Sequence, residues 1–237
     1  MRVAALADVH GNAPALEAVL AELERGDVDL VVFCGDLSWG PLPAETLELV
    51  RAMTVETRFV RGNGDRMVGV ERGPRGAWIA AQHGGAATAF VNGFDPAVTA
   101  DVDGLGPTRF VHGSPRSDEE CVTERTPAER VSEFMAGVPE RVVVTAHVHV
   151  SYDRMVGDVR LLSPGSVGLP YEGEHGARWA LLGPGVDLRR TEYDVERAAA
   201  LFRESGIPEV ERDLALLLEP AGREEAIEDA ERRVFAG

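Results

Sequence analysis

The chain has 237 residues, enough for one sizeable core, and its hydrophobic share of 44% and charged share of 27% are ordinary for a globular protein. Its 40 acidic and 24 basic residues give a net charge of −16, which argues against non-specific binding to nucleic acid or to an anionic membrane. All the basic residues are arginine, which excludes the chemistry of a P-loop lysine or a Schiff-base lysine.

The cellular setting is predicted from composition. No apolar stretch approaches the roughly 18 residues of a membrane span, and we find no signal-peptide pattern. The two cysteines, Cys34 and Cys121, do not make a disulfide framework. We therefore expect a cytoplasmic protein without a membrane partner, whose oligomeric state the sequence leaves unknown.

The first third of the chain alternates strands and helices. Apolar, β-branched runs at residues 3–7, 30–33 and 57–60 predict buried strands. Helical spacing follows the first two, at residues 14–24 with Asn12 as the N-cap, and at residues 43–50. This order indicates right-handed crossovers and a parallel sheet.

The rest of the chain is less regular. We predict a helix within residues 76–92, strands at residues 108–111 and 142–145, and an antiparallel hairpin at Gly157-Asp158. Thr126 and Glu129 resemble a capping box for a helix to Ala136.

We predict that the chain consists of two segments. Residues 1–195 form the main domain, and residues 196–237 form a charged helical extension, broken at Gly206-Ile207-Pro208 and Pro220-Ala221-Gly222. The extension is either a cap over the functional site or a solvated tail of the same domain, and the sequence favours neither.

Polar motifs follow the predicted strands: Asp8-Val9-His10, Gly35-Asp36, Gly62-Asn63, His112 and His147-Val148-His149. Ligands bind at the carboxyl ends of strands in open α/β sheets, so these side chains are expected to gather on one rim. Imidazole selects Mn, Fe, Co, Ni or Zn over Mg or Ca. The donor set predicts two divalent transition metals, for which we favour Mn, and Asp36 is suited to bridge them because a carboxylate has two oxygens.

The order of these motifs resembles the calcineurin-like metallophosphoesterase superfamily, and 8–12, 112–116 and 164–168 are similar to its small single-domain bacterial and archaeal branch. The resemblance implies a four-layer α/β/β/α sandwich of two mixed sheets flanked by helices. It also implies that Asp8, His10, Asp36 and His149 hold one metal, and that Asp36, Asn63, His112 and His147 hold the other. Of these, we assign Asp36, Asn63 and His147 to the reaction itself.

Two positions depart from the family pattern. Ala146 replaces the first glycine of the family's Gly-His-x-His motif, and both histidines remain. Gly64 replaces the histidine that usually assists the leaving group. Arg66, Arg116 and His175 are candidates for substrate binding, because arginine can clamp a phosphate bidentately and His175 lies in a Gly/Glu-rich loop.

The resemblance therefore predicts a phosphoesterase that acts on a small phosphoester. The nucleophile would be a hydroxide bridging two metals roughly 3.5–4 Å apart. We expect phosphodiesters to be preferred to monoesters because Gly64 cannot protonate a leaving group. The alternatives are a catalytically weak regulatory or scaffold module on the same fold and a nuclease.

Overall fold

The computed structural model describes residues 1–70 and 72–234. The strands are β1 (Val3–Leu6), β2 (Leu30–Cys34), β3 (Glu56–Val60), β4 (Val98–Val102), β5 (Gly106–Phe110), β6 (Val142–Val144), β7 (Ser151–Val156), β8 (Val159–Pro164), β9 (Ala177–Leu182) and β10 (Val186–Thr191). The helices are α1 (Ala13–Leu23), α2 (Pro43–Ala52), α3 (Asn63–Met67), α4 (Gly73–Asn92), α5 (Ala128–Phe134), α6 (Val195–Ser205), α7 (Val210–Leu218) and α8 (Arg223–Val234). Within the described part of the chain, no helix has both the length and the apolar character that crossing a bilayer requires.

The strands form two mixed sheets of five strands each. The first has the order β10-β9-β1-β2-β3, and the second has the order β4-β5-β6-β8-β7. The strands β1, β2 and β3 are parallel to one another, as are β5, β6 and β8. The other pairs are antiparallel: β9 pairs with both β1 and β10, β4 pairs with β5, and β7 pairs with β8.

The two sheets pack face to face, and helices cover both outer faces. Alternate residues of β1 show how the sequence sets this arrangement, because Val3 and Ala5 join the core between the sheets while Ala4 and Leu6 face the helices. The outer core of the first sheet contains apolar residues of α1, α2 and α4, and that of the second contains residues of α5 and α8. This confirms the predicted four-layer α/β/β/α sandwich of two mixed sheets.

The predicted elements agree with the structure best where periodicity was strong. The side chain of Asn12 caps α1 by accepting from the Ala15 amide at 3.2 Å, and Gly157-Asp158 forms the turn between β7 and β8. The predicted capping box at Thr126 is wrong. Pro127 is the N-cap of α5, and the Thr126 hydroxyl instead donates to Glu231 at 2.8 Å. A partner from α8, 105 residues away in sequence, has replaced the local one.

The three C-terminal helices pack on the rest of the molecule. Ala198 and Phe202 of α6 and Leu214 and Leu217 of α7 share a buried cluster with Ala13 of α1. Ile227 and Ala230 of α8 pack in the outer core of the second sheet. An ion pair also joins α4 to α7: Arg75 donates to both carboxylate oxygens of Asp213 at 2.8 Å. Whether the segment from residue 196 is a separable unit stays a prediction.

Gly168 marks the closest approach of the 164–168 turn to the first loop. A Cβ atom built on Gly168 would lie 1.9 Å from the Val9 carbonyl oxygen, between the candidate ligands Asp8 and His10. The Gly168 amide also donates to the Asp8 carbonyl oxygen at 3.1 Å. Only glycine allows the two backbones to approach so closely.

Gly168→Ala is therefore expected to lower the free energy of unfolding by about 1–3 kcal/mol or more, because one backbone must move to admit the methyl group. Urea unfolding checks this. The matched control is Gly185→Ala, since nothing lies within 4 Å of a Cβ at Gly185. Equal stability of the two variants would contradict the close packing of the two loops.

Candidate metal centre

The predicted ligand residues follow the carboxyl ends of the parallel strands. Asp8 follows β1, Asp36 follows β2, Asn63 begins α3 after β3, His112 follows β5, and His147 and His149 follow β6. Since both sheets present these ends at the same edge of the sandwich, residues that follow five strands meet there.

An unusual backbone conformation accompanies these residues. Among the described non-glycine residues with positive φ, all except Glu209 are candidate ligands: Asp8 (52°), His10 (49°), Asp36 (53°), His147 (69°) and His149 (57°). Each such residue costs about 1–3 kcal/mol and persists only where the surroundings enforce it. Backbone bonds do so here, since the amides of Asp8 and His10 donate to the carbonyl oxygens of Gly35 and Asp36, both at 3.0 Å.

Two groups of donor atoms lie close together. In the first, Oδ1 of Asp8 is 3.3 Å from Nε2 of His149 and 3.8 Å from Nε2 of His10. In the second, Nε2 of His112 is 3.6 Å from Oδ1 of Asp36 and 4.0 Å from Oδ1 of Asp8. Asn63 adjoins this group, with Oδ1 at 3.0 Å from Nε2 of His112. Each group has a spacing that could hold a metal ion.

The histidine rings are held with Nε2 towards the centre. Nδ1 of His112 is 2.8 Å from the Cys34 carbonyl oxygen, and Nδ1 of His149 is 2.7 Å from that of Leu169. Nδ1 of His10 faces the Trp39 carbonyl oxygen at 3.4 Å. A carbonyl oxygen can only accept, so each bond places the ring proton on Nδ1 and leaves the Nε2 lone pair for a metal.

Asp8 supplies a second sign that the site fits a cation. Its carboxylate is fully buried, and Oδ1 has no hydrogen-bond partner. Oδ2 accepts from the His147 amide at 3.1 Å. A buried carboxylate oxygen without a partner is costly unless a cation neutralises it. The donor set of carboxylate, imidazole and amide groups therefore fits divalent transition metals.

The charges at the site shift one another's pKa values. Burial raises the pKa of Asp8, but the His149, His112 and His10 rings outweigh it and hold that pKa well below its usual range. Burial lowers the pKa of His112 and of His149, yet Asp36 and Asp8 outweigh it in both and raise their pKa values above the usual range. Burial and the neighbouring His112 lower the pKa of His147 to about 4.

Asp65 supports the site in a way that the sequence did not reveal. Its buried carboxylate accepts from the amides of Asp36 at 2.8 Å, Leu37 at 3.0 Å and Gly62 at 2.9 Å. Burial and Asp36 raise the pKa of Asp65 to about 7, although the Gly62 and Leu37 amides oppose this. Asp65 thereby ties together the two loops that carry Asp36 and Asn63. Its only sequence signal is its place two residues after Asn63.

A cavity of about 270 Å³ opens over the candidate ligands. His10, Asp36, Asn63, His147 and His149 line it from the sandwich. The ring of Tyr171 also lines it and stacks on that of His149 at 4.5 Å between centroids. Its other lining residues are Trp39, Leu169, Arg75 of α4, Arg212, Asp213 and Leu216 of α7, and Arg233 of α8. Burial and the charge of Asp8 raise the pKa of Tyr171, and the charges of Arg212 and Arg233 oppose this shift.

The three residues predicted to bind substrate are not among those that line this cavity. Arg66 pairs with Asp118 and Glu119, and Arg116 pairs with Glu120. Both arginines line a neighbouring cavity that has His112 at its edge. The acidic loop at 118–120 neutralises them, which a pattern of short motifs could not indicate.

His175 lies elsewhere again. It is exposed, and its Nε2 bonds to the Leu218 carbonyl oxygen at 3.1 Å. A role of His175 in substrate binding stays a prediction, while Arg212 and Arg233 of the C-terminal helices line the cavity.

Comparisons with known proteins agree with this architecture. The model of the calcineurin-like phosphoesterase superfamily domain matches residues 1–182. A hypothetical protein from Pyrococcus horikoshii has a similar structure, with 21% identity, a TM-score of 0.80, and coverage of 93% of this chain and 99% of its own. A metallophosphoesterase from Sphaerobacter thermophilus has 26% identity, a TM-score of 0.72, and coverage of 92% and 98%.

A phosphoesterase from Escherichia coli shares the fold more distantly, with 18% identity, a TM-score of 0.51, and coverage of 81% of this chain and 100% of its own. No curated protein matches the sequence. Since the family model spans most of the chain and the candidate ligands lie within its match, the chain belongs to the calcineurin-like phosphoesterase superfamily.

Proposed function

We propose that this protein is a cytoplasmic phosphodiesterase that uses two divalent transition metals, with Mn favoured, to hydrolyse small phosphodiesters. The observation that carries the proposal is the orientation of Asp36. Its Oδ2 lies 3.7 Å from Nε2 of His10, and its Oδ1 lies 3.6 Å from Nε2 of His112. One carboxylate thus turns one oxygen towards each group of donors, as a bridging ligand must.

Two metals in this position would supply an activated water and would neutralise the oxygens of the phosphoryl group. The seven candidate ligand residues carry two carboxylate charges against about four from the metals, so the loaded site would attract a phosphate. The chain's own contribution is geometric. Backbone carbonyl groups fix the tautomers of His10, His112 and His149, and the Gly64 amide donates to Oδ1 of Asp36 at 2.7 Å.

The preference for diesters rests on Gly64. The first turn of α3 brings Gly64 next to Asp36, where a histidine could reach a departing group. Glycine has no side chain that can donate a proton, so the leaving group must be protonated by another acid or must leave unprotonated. A monoester also carries one more negative charge than a diester, which a histidine cation would help to neutralise.

Two other functions remain as alternatives. A scaffold module would not need a complete donor set, and here all seven candidate ligand positions carry donor side chains. A nuclease would need a basic surface for a polyanion, and the net charge of −16 disfavours one. Hydrolysis of a small diester, a monoester and single-stranded DNA, each assayed with added Mn²⁺, separates the three functions.

We expect activity to depend on metal and on the charge of Asp36. Asp36→Asn should lower kcat/KM for bis(p-nitrophenyl) phosphate by on the order of 10²–10³-fold or more, because a neutral amide bridges two cations poorly. Bound metal per chain, measured by atomic emission, should fall in the same variant. The control is Asp187→Asn, whose exposed carboxylate pairs with Arg189. Full activity of the metal-stripped protein would overturn the proposal.

The diester preference has its own test at position 64. We expect kcat/KM for bis(p-nitrophenyl) phosphate to exceed that for p-nitrophenyl phosphate. Gly64→His should shift this ratio towards the monoester, since general acid catalysis contributes about 10²–10⁴-fold. A Cβ at Gly64 would lie 3.0 Å from Oδ1 of Asp36, so Gly64→Ala controls for the crowding that any side chain causes. A wild-type preference for the monoester would contradict the argument.

A further inference from the structure

The cavity over the metal centre has a wall that the metal chemistry does not use. Arg75, Arg212 and Arg233 all lie on it, although the protein as a whole carries a net charge of −16. Two of these arginines belong to helices beyond residue 182, where the match to the family model ends. The C-terminal helices therefore supply two of the three arginines that line the cavity.

The three arginines differ in how far their charges are neutralised. Arg75 is mostly buried and is held by both oxygens of Asp213, and it also donates to the Pro208 carbonyl oxygen at 3.2 Å. Arg233 pairs with Asp229, one turn earlier on α8. Arg212 makes no side-chain ion pair or hydrogen bond with any residue in the described part of the chain. It is therefore the cation of this wall that is available to an anionic ligand.

The position of Arg212 is fixed by its neighbours. Asp213, the next residue, is tied to Arg75 of α4, and Leu214 is buried against α1 and α6. The contacts of Asp213 and Leu214 thus hold the first turn of α7 in place, while the Arg212 side chain stays exposed at the cavity. An arginine on an anchored helix loses little conformational freedom of its backbone when it binds a ligand.

Apolar and aromatic groups line the cavity beside Arg212 and the candidate metal ligands. Trp39, Leu169, Tyr171 and Leu216 line the cavity together with the polar groups. Its volume of about 270 Å³ lies just below the range of about 300–1,000 Å³ that is typical of small-molecule sites. The cavity therefore suits a short ligand with an apolar middle and a charge at each end.

We propose that Arg212 forms an anion subsite, and that the substrate is a small phosphodiester with one short ester arm that ends in a carboxylate or a phosphate. The scissile phosphate lies over the candidate ligands, the arm packs against the aromatic wall, and the terminal anion pairs with Arg212. This inference rests on the proposed phosphodiesterase function, and it specifies in addition that one ester arm of the substrate is anionic.

The test in catalysis compares two diesters with the same leaving group. Methyl p-nitrophenyl phosphate has a neutral arm, and 2-carboxyethyl p-nitrophenyl phosphate has an anionic one. In the wild type, the carboxylate should raise kcat/KM by about tenfold or more, the value of one charge-assisted hydrogen bond. Arg212→Gln should bring the ratio of the two constants close to one, and Arg212→Lys should restore part of it.

A binding experiment tests the subsite without hydrolysis. Titration calorimetry on the Mn²⁺-loaded protein compares 3-phosphonopropanoate with propylphosphonate, which lacks the carboxylate. The carboxylate should tighten binding about tenfold in the wild type and should have no effect in Arg212→Gln. The control is Arg203→Gln on α6, because Arg203 is also exposed and unpaired among the described residues but does not line the cavity.

The outcomes distinguish the two proposals. If neither diester is hydrolysed but the carboxylate tightens binding through Arg212, the phosphodiesterase proposal fails and the subsite stands. If diesters are hydrolysed and the carboxylate brings no gain, or brings one that survives in Arg212→Gln, the subsite proposal is wrong. An equal loss of the gain in Arg203→Gln would also overturn it, because it would show a general effect of surface charge.

Discussion

The structure depends on burying two carboxylates side by side at the edge where both sheets end. Asp8 is fully buried and Asp36 nearly so, and both approach the same His112 ring within 4.0 Å. Two like charges in such a place repel each other and lose their hydration, which destabilises the fold unless cations or protons compensate. In this chain the imidazole groups of His112 and His149 compensate, as the upward shifts of their pKa values indicate. A metal would replace those protons, so metal affinity and pH are linked at this site.

The surrounding backbone is built to hold this arrangement. Left-handed conformations at five candidate ligands turn their side chains inwards, and the loops that contain them bond to one another through main-chain groups. Ser166 donates to the Asp8 carbonyl oxygen at 2.7 Å, and Asp65 accepts from three amides of the Asp36 and Asn63 loops. Because these bonds come from both sheets and from the 164–168 turn, the strain at each ligand is balanced by the fold as a whole. Backbone contacts from several elements therefore hold the candidate ligands in place.

The sequence could predict those parts of the molecule that depend on local pattern. Strand runs, their polar ends and the Asn12 cap follow from neighbouring residues, so a parallel sheet with the candidate ligands gathered at its edge could be predicted, whereas the four-layer sandwich was implied by the family resemblance. Contacts between residues distant in sequence could not be predicted in this way. Thr126 bonds to Glu231 instead of capping α5, Arg66 pairs with the 118–120 loop, and Arg75 of α4 pairs with Asp213 beside Arg212. Each of these depends on which helix or loop packs nearby, and no period or motif in the chain encodes that.

The C-terminal helices also resolve an electrostatic difficulty. A protein with a net charge of −16 repels an anionic substrate that comes within the screening length of salt, about 8–10 Å, of its surface. Metals held by the candidate ligands would attract a phosphate at short range, and the acidic loop at 118–120 neutralises Arg66 and Arg116. Arg212 and Arg233 both line the cavity, and because Asp229 pairs with Arg233, Arg212 provides the positive charge that is unpaired among the described residues. A cation on α7 that is unpaired in the described part of the chain thus places the attraction at this cavity, which favours a small anion that can enter it over a long polyanion that must lie along the surface.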